Sequence, residues 1–165
     1  MKRNTGSGAL FLCQGALIAA LYVLLTLLAR VFGLDSGMIQ LRLSEALCIL
    51  PIFLPAAIPG LAVGCLLANL LTGAVWLDIL VGPVATLIGA LGTYALRRYV
   101  WLAPLPPVLA NSLLIPFVLC YGYGMETAIP LMMLTVGIGE VLSIYGLGML
   151  LYGALKTRMG GIVRR

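Results

Sequence analysis

From Ala46 to Leu77 the chain carries no charged residue, a run long for one membrane helix and short for two. At about 1.5 Å per residue, roughly twenty apolar residues cross a hydrocarbon core. Gln40, Arg42, Ser44 and Glu45 gather at the head of this run, and Pro51, Pro55, Pro59 and Gly60 interrupt it. In lipid, unpaired charges and broken helices cost free energy and persist mainly where protein or a polar cavity surrounds them. The head is therefore expected to form the lip of a binding site, and the prolines to break two membrane helices apart.

Charge placement resolves the length problem. Charged residues make up 9% of the 165-residue chain, hydrophobic residues 62%, and the mean hydropathy is +1.15. A soluble domain is about a quarter charged, so the composition specifies an integral membrane protein, read as one transmembrane domain over residues 1–165. The net charge of +5 does not indicate nucleic acid, because the basic residues flank apolar runs without aromatic interleaving. Lys2, Arg3, Arg97, Arg98 and the tail with Lys156, Arg158, Arg164 and Arg165 belong in the cytoplasm by the positive-inside rule, leaving Arg30 and Arg42 outside. An even number of crossings must then separate Arg3 from Arg97. Ala9–Ala29 and Ile79–Leu96 supply one each, so the uncharged run supplies two, reversing near Pro55–Gly60.

Leu105–Tyr121 and Ala128–Leu155 follow, joined by an external turn over Gly122–Thr127. The expectation is an all-α, integral membrane bundle of six transmembrane helices with both termini cytoplasmic, in a prokaryotic plasma membrane. The first segment is too long for a signal peptide. Bulky Phe11 and Leu12 argue against a lipoprotein site at Cys13. Arg30 to Met38 reads as a polar loop.

Small residues mark packing faces: Gly15/Ala19 and Ala16/Ala20 on the first helix, and Gly60, Gly64 and Ala68 on the third. Such stripes let helices approach closely in lipid. They serve either the bundle itself or a partner, with Ala16 and Ala20 the better docking face.

Catalysis has little support. The chain has no histidine, which removes His-based triads, dyads and zinc sites. Cys13, Cys48, Cys65 and Cys120 are widely spaced and read as packed thiols. No metal or cofactor is expected. Without a Gly-x4-Gly-Lys-Ser/Thr motif the chain cannot be its own P-loop ATPase. Gly137 and Gly139 lie in an apolar helix and read as packing.

What remains is a set of polar residues at membrane depth: Gln40, Arg42, Glu45, Asn69, Asp78, Asn111 and Glu140. Arg42 and Glu45 can pair with each other at i, i+3. Asn69 and Asn111 can bridge helices, and Asp78 can cap the helix that begins at Ile79. Glu140 has no partner close in sequence, and an intramembrane carboxylate of that kind is a functional candidate by default.

Several motifs in one order resemble the queuosine-precursor transporter (QueT) family. They are Gln40-Leu-Arg42-Leu-Ser44-Glu45-Ala-Leu, Ala57-Ile-Pro59-Gly60, Gly64-Cys65-Leu-Leu-Ala68-Asn69, Asp78-Ile-Leu-Val-Gly82, Ala85-Thr86-Leu87, Pro106-Pro107-Val-Leu-Ala-Asn111 and Gly139-Glu140. The resemblance runs from about Ala16 to Gly148. An acidic residue is common in the family pattern between Pro55 and Ala57, where this chain has Ala56; that departure touches the cytoplasmic loop and leaves the outer residues as they are. The resemblance implies the substrate-binding S component of an energy-coupling factor transporter. Its partners would be a transmembrane T component and two ATPase subunits, and its substrate a 7-deazaguanine base.

The polar residues suit such a base. A guanine-like edge offers two adjacent N–H donors to a carboxylate and a carbonyl to Arg or an amide. Tyr121 or Tyr123 can stack on the ring. An S component for another vitamin-like molecule would share this topology. An intramembrane lipid-acting enzyme using Glu140 or Asp78 lacks a nucleophile or metal constellation. A ligand-free assembly protein leaves the buried polar residues unexplained.

Overall fold

The computed structural model describes residues 5–34 and 40–159. Lys2, Arg3, Asp35, Gly37, Met38, Arg164 and Arg165 lie outside the described residues, as does the side chain of Arg158. The fold is all-helical among the described residues: α1 (Thr5–Val31), a 3₁₀ helix (Leu43–Ile52), α2 (Ala57–Leu71), α3 (Trp76–Ala95), α4 (Leu105–Tyr121) and α5 (Ile129–Glu140). From Val141 to Gly148 the last rod is a π-helix, and it continues as α6 (Met149–Met159). Gly8–Val31, Trp76–Ala95 and Ile129–Thr157 are long and apolar enough to cross a membrane; the 3₁₀ helix, α2 and α4 are shorter apolar helices.

The 3₁₀ helix answers the length problem of the uncharged run. At about 2.0 Å per residue, ten residues reach roughly 20 Å, against about 15 Å as α-helix. Such length is unusual for this poorly bonded form. Ser44 through Pro51 are all buried, so neighbouring helices shield the irregular backbone from lipid. The reversal falls slightly earlier than expected, at Phe53–Ala56. Pro59 then lies in the first turn of α2, where a missing N–H costs nothing.

The small-residue stripes separate by role. A Cβ at Gly60 would lie 2.7 Å from the Gly15 carbonyl oxygen, and one at Gly64 would lie 3.0 Å from Ala19 Cα. Gly15 and Ala19 thus join α1 to α2 inside the bundle. Ala16 and Ala20 lie on an adjacent, exposed face of α1.

Two ends result. Gly15, in the first half of α1, meets the start of α2, and Phe53 at the foot of the 3₁₀ helix stacks on Tyr152 of α6 with ring centroids 5.2 Å apart. Arg98 and Lys156 share a cleft at this end. The positive-inside rule assigns it to the cytoplasm. At the other end converge the last turns of α1, α2 and α4 and the first turn of α3.

Candidate functional site

A cavity of about 590 Å³ opens at that second end, within the range of about 300–1,000 Å³ that small-molecule sites occupy. Two helix terminators shape its rim. At the end of α2, Gly73 (φ 66°) turns the chain, its N–H bonding Leu70 O at 3.3 Å, while Ala74 N–H bonds Asn69 O at 3.0 Å. The end of α1 repeats the motif at Gly33 (φ 68°), with Leu34 N–H on Ala29 O at 2.9 Å. Glycine relieves the left-handed conformation that such a cap requires.

Gln40, Arg42, Asn69 and Asp78 line this cavity together. Asp78 is buried in the first turn of α3, near the positive end of the helix dipole. It is not the cap: that position is Val75, and no side chain bonds there. The helix begins a turn earlier than the apolar pattern predicts. Asp78 Oδ2 accepts a hydrogen bond from Tyr123 OH at 3.1 Å, and Oδ1 has no partner among the described residues. Asn69 Nδ2 donates to the Asp78 carbonyl at 2.8 Å, tying α2 to α3. Gly82, one turn on, makes room: a Cβ there would come within 2.8 Å of Asn69 Nδ2 and 3.2 Å of Asp78 Oδ1.

Arg42 and Glu45 do not form an ion pair. Glu45 is fully buried and accepts hydrogen bonds from Tyr22 OH and, at 3.0 Å, from Cys48 Sγ. Its carboxylate is absorbed into the bundle behind Tyr22, which itself reaches the cavity wall. Arg42 is half-buried in the field of three carboxylates, Asp78 ahead of Glu140 and Glu45. Cation and carboxylates thus share one polar interior without a closed pair among the described residues, an arrangement that leaves donors and acceptors for a guest.

Asn111 and Glu140 meet each other rather than the cavity. The Asn111 amide faces Glu140, but among the described residues neither Asn111 Nδ2 nor Glu140 Oε2 closes a hydrogen bond, and Ser143 Oγ nearby in sequence is likewise buried and unpartnered. The preceding residue, Gly139, packs directly on the Gln40 backbone, so that a Cβ would collide with the Gln40 carbonyl. This contact links the second polar cluster to the cavity lip.

Tyr121 is a correction. It is 71% exposed and absent from the cavity wall, because its place on α4 turns it outward. Tyr123 lines the cavity instead. Burial first, and the Asp78 charge next, raise the Tyr123 hydroxyl above the ordinary phenol value, which preserves it as a donor. The sequence reading also missed Tyr22 and Thr26, both on the wall, where Thr26 Oγ1 lies 2.9 Å from the Oγ of Ser44, a residue of the expected lip. Tyr22 and Thr26 are four apart in an otherwise apolar helix, and with Ala29 and Arg30 they trace one face toward the cavity. That spacing was the available signal.

The family described as QueT transporter matches residues 12–157. The chain belongs to the QueT transporter family. It is a multi-pass protein of the cell membrane, and its family is one of transporters. It is similar to the queuosine precursor transporter QueT of Lactococcus lactis subsp. cremoris (strain MG1363), with 37% identity over 73 residues. The alignment covers 44% of this chain and 43% of that protein, so the chain spans under half the length of this relative. No solved structure matches. In this QueT family member the matched residues hold every cavity-lining side chain described above.

Proposed function

We propose that the protein is the substrate-binding S component of an energy-coupling factor transporter and captures a queuosine precursor, a 7-deazaguanine base such as preQ0, preQ1 or queuine. The observation that carries this reading is Asp78, a buried carboxylate on the cavity wall with Oδ1 unpartnered and Oδ2 fixed by Tyr123. An uncompensated buried acceptor costs free energy until a donor arrives. Two adjacent N–H groups of a guanine-like edge would satisfy it, while Arg42 or Gln40 meets the ring carbonyl. Tyr22 and Tyr123 offer aromatic surface to the ring. The name of the Lactococcus relative supports the same substrate class.

The chain lacks a P-loop, so energy for uptake would come from partners, a transmembrane T component and two ATPase subunits. The exposed Ala16 and Ala20 on α1 offer the T component a close-approach face, since Gly15 and Ala19 are already spent on α2. The test is calorimetric titration of the reconstituted chain with a panel of 7-deazaguanines and of unrelated vitamins. Saturable binding confined to the deazaguanines is expected. Binding of a vitamin alone would retain the cavity and discard the substrate class; binding of nothing would overturn the proposal.

A further inference from the structure

The opposite end of the bundle holds a second, larger cleft of about 880 Å³, which transport of a base through the first cavity does not use. It lies between the loop after α3 and the last rod. Arg98 and Trp101 line one side, Tyr152 and Lys156 the other, and Met149 and Leu150 lie between them.

Three features of this cleft converge on one ligand chemistry. Its charge is purely positive: none of the described carboxylates lines it, neither Arg98 nor Lys156 has an ion-pair partner among the described residues, and the Lys156 ammonium has only the Tyr152 ring of the same wall, 5.9 Å away at its centroid. Arg97 next door is committed elsewhere, its guanidinium 4.0 Å above the Tyr94 ring and bonded to the Tyr94 carbonyl at 3.0 Å. The floor is open and apolar. Gly146 and Gly153, two turns apart on the face of Leu150, have nothing within 4 Å of where a Cβ would stand. An apolar chain lying along the rod therefore meets no side chain at either point. The frame is braced at interfacial depth, with Tyr145 OH donating to the Trp101 carbonyl at 2.9 Å and Trp101 itself 74% exposed. Aromatic side chains with basic neighbours mark the level of the headgroups.

We propose that this cleft binds an anionic phospholipid, with its phosphate between Arg98 and Lys156 and an acyl chain along the face of Gly146, Leu150 and Gly153. A basic recess between membrane helices on the cytoplasmic side is suited to a lipid phosphate, where each cation adds to the attraction. A headgroup alone would leave the glycine-floored groove exposed, and an acyl chain alone would leave the two cations unmatched.

The experiment compares the full chain in phosphatidylcholine nanodiscs with and without phosphatidylglycerol, reading retained lipid by native mass spectrometry and thermal midpoint together. Phosphatidylglycerol is expected to be retained by the wild type and to raise its midpoint. The Arg98→Gln/Lys156→Gln double variant should lose that retention roughly thirtyfold. Gly153→Leu keeps both charges but fills the groove, and should lose retention as well; the open space at Gly153 keeps this variant foldable. Arg97→Gln removes a cation beside the cleft and should retain the lipid. The proposal falls if Arg97→Gln loses as much as Arg98→Gln alone, which is diffuse surface attraction. It falls equally if inorganic phosphate reproduces the stabilisation. Unchanged lipid retention in the double variant also overturns it.

Discussion

Asp78→Asn separates the two carboxylates that a ligand at this end of the bundle could use. The substitution preserves volume, and the amide oxygen can still accept from Tyr123 OH, now 3.1 Å from Oδ2. It leaves the bond from Asn69 to the backbone carbonyl untouched. What changes is the unpartnered oxygen, which becomes an NH2 group facing the N–H donors of the base. An opposed buried donor costs about 1–3 kcal/mol, and more where a charge is lost. At about 1.4 kcal/mol per decade, affinity should fall roughly ten- to a hundredfold. Stability of the free protein should hold or rise, because an uncompensated buried carboxylate has been removed. Isothermal titration and thermal unfolding of the same preparation read both quantities. Wild-type affinity in Asp78→Asn would remove this residue from recognition and refute the argument that its orphaned oxygen awaits a ligand.

Glu45→Gln is expected to do the reverse. One of two accepted hydrogen bonds becomes a clash of donors, costing about 1–3 kcal/mol of stability, while affinity of the folded fraction stays near wild type. Gly64→Leu should prevent folding or lower stability by several kcal/mol, since a Cβ added there would lie 3.0 Å from Ala19 Cα and 2.7 Å from Tyr22 Cβ; normal thermal unfolding would refute the close approach. Ala16→Trp, on the exposed side of the same helix, should leave binding intact and abolish co-purification with a T component; undiminished co-purification would move the dock elsewhere. Tyr123 supplies a pH test. Its raised hydroxyl favours the protonated form in the fold, so that contribution is complete below the ordinary phenol value and is lost as pH rises through the higher, folded one. The alkaline loss should shrink in Tyr123→Phe, as measured by unfolding across that range.

Much of this fold is legible because lipid leaves few options. Charge parity around Arg97 and the length of the Ala46–Leu77 run call for two helices with a reversal between them, and the structure places two shorter apolar helices there, the 3₁₀ helix and α2. The means of doing so was not legible. Nothing in Leu43–Ile52 distinguishes a 3₁₀ helix from an α-helix by period, since its residues are buried all round and no polar face exists to count. The same lack of a face hid the Glu45 partners. Arg42 and Glu45 satisfy the i, i+3 rule of an α-helical surface, but that rule assumes an exposed turn, and Glu45 is enclosed by α1. Its partner Tyr22 lies 23 residues away, beyond any local pattern. Tyr121 and Tyr123 were indistinguishable for a related reason: a helix end fixes direction to within a residue or two, and two residues separate an outward ring from one on the cavity.

The two irregular helices are best understood together. The 3₁₀ helix carries Glu45 and the lip residues Gln40 and Arg42 immediately before it; the π-helix begins directly after Glu140. They pack on one another: a Cβ at Gly148 of the π-helix would lie 3.1 Å from the Ala46 carbonyl oxygen of the 3₁₀ helix, and just outside both segments Gly139 lies against the Gln40 backbone. One helix is overwound and the other underwound relative to 3.6 residues per turn. The cost is poorer backbone hydrogen bonding in both segments, and both Glu140 and Ser143 retain unmatched polar atoms. A chain selected only for stability would replace these groups with well-packed apolar ones. Their presence sets an unmatched polar cluster beside the cavity lip, joined to it through the close contact of Gly139 with the Gln40 backbone.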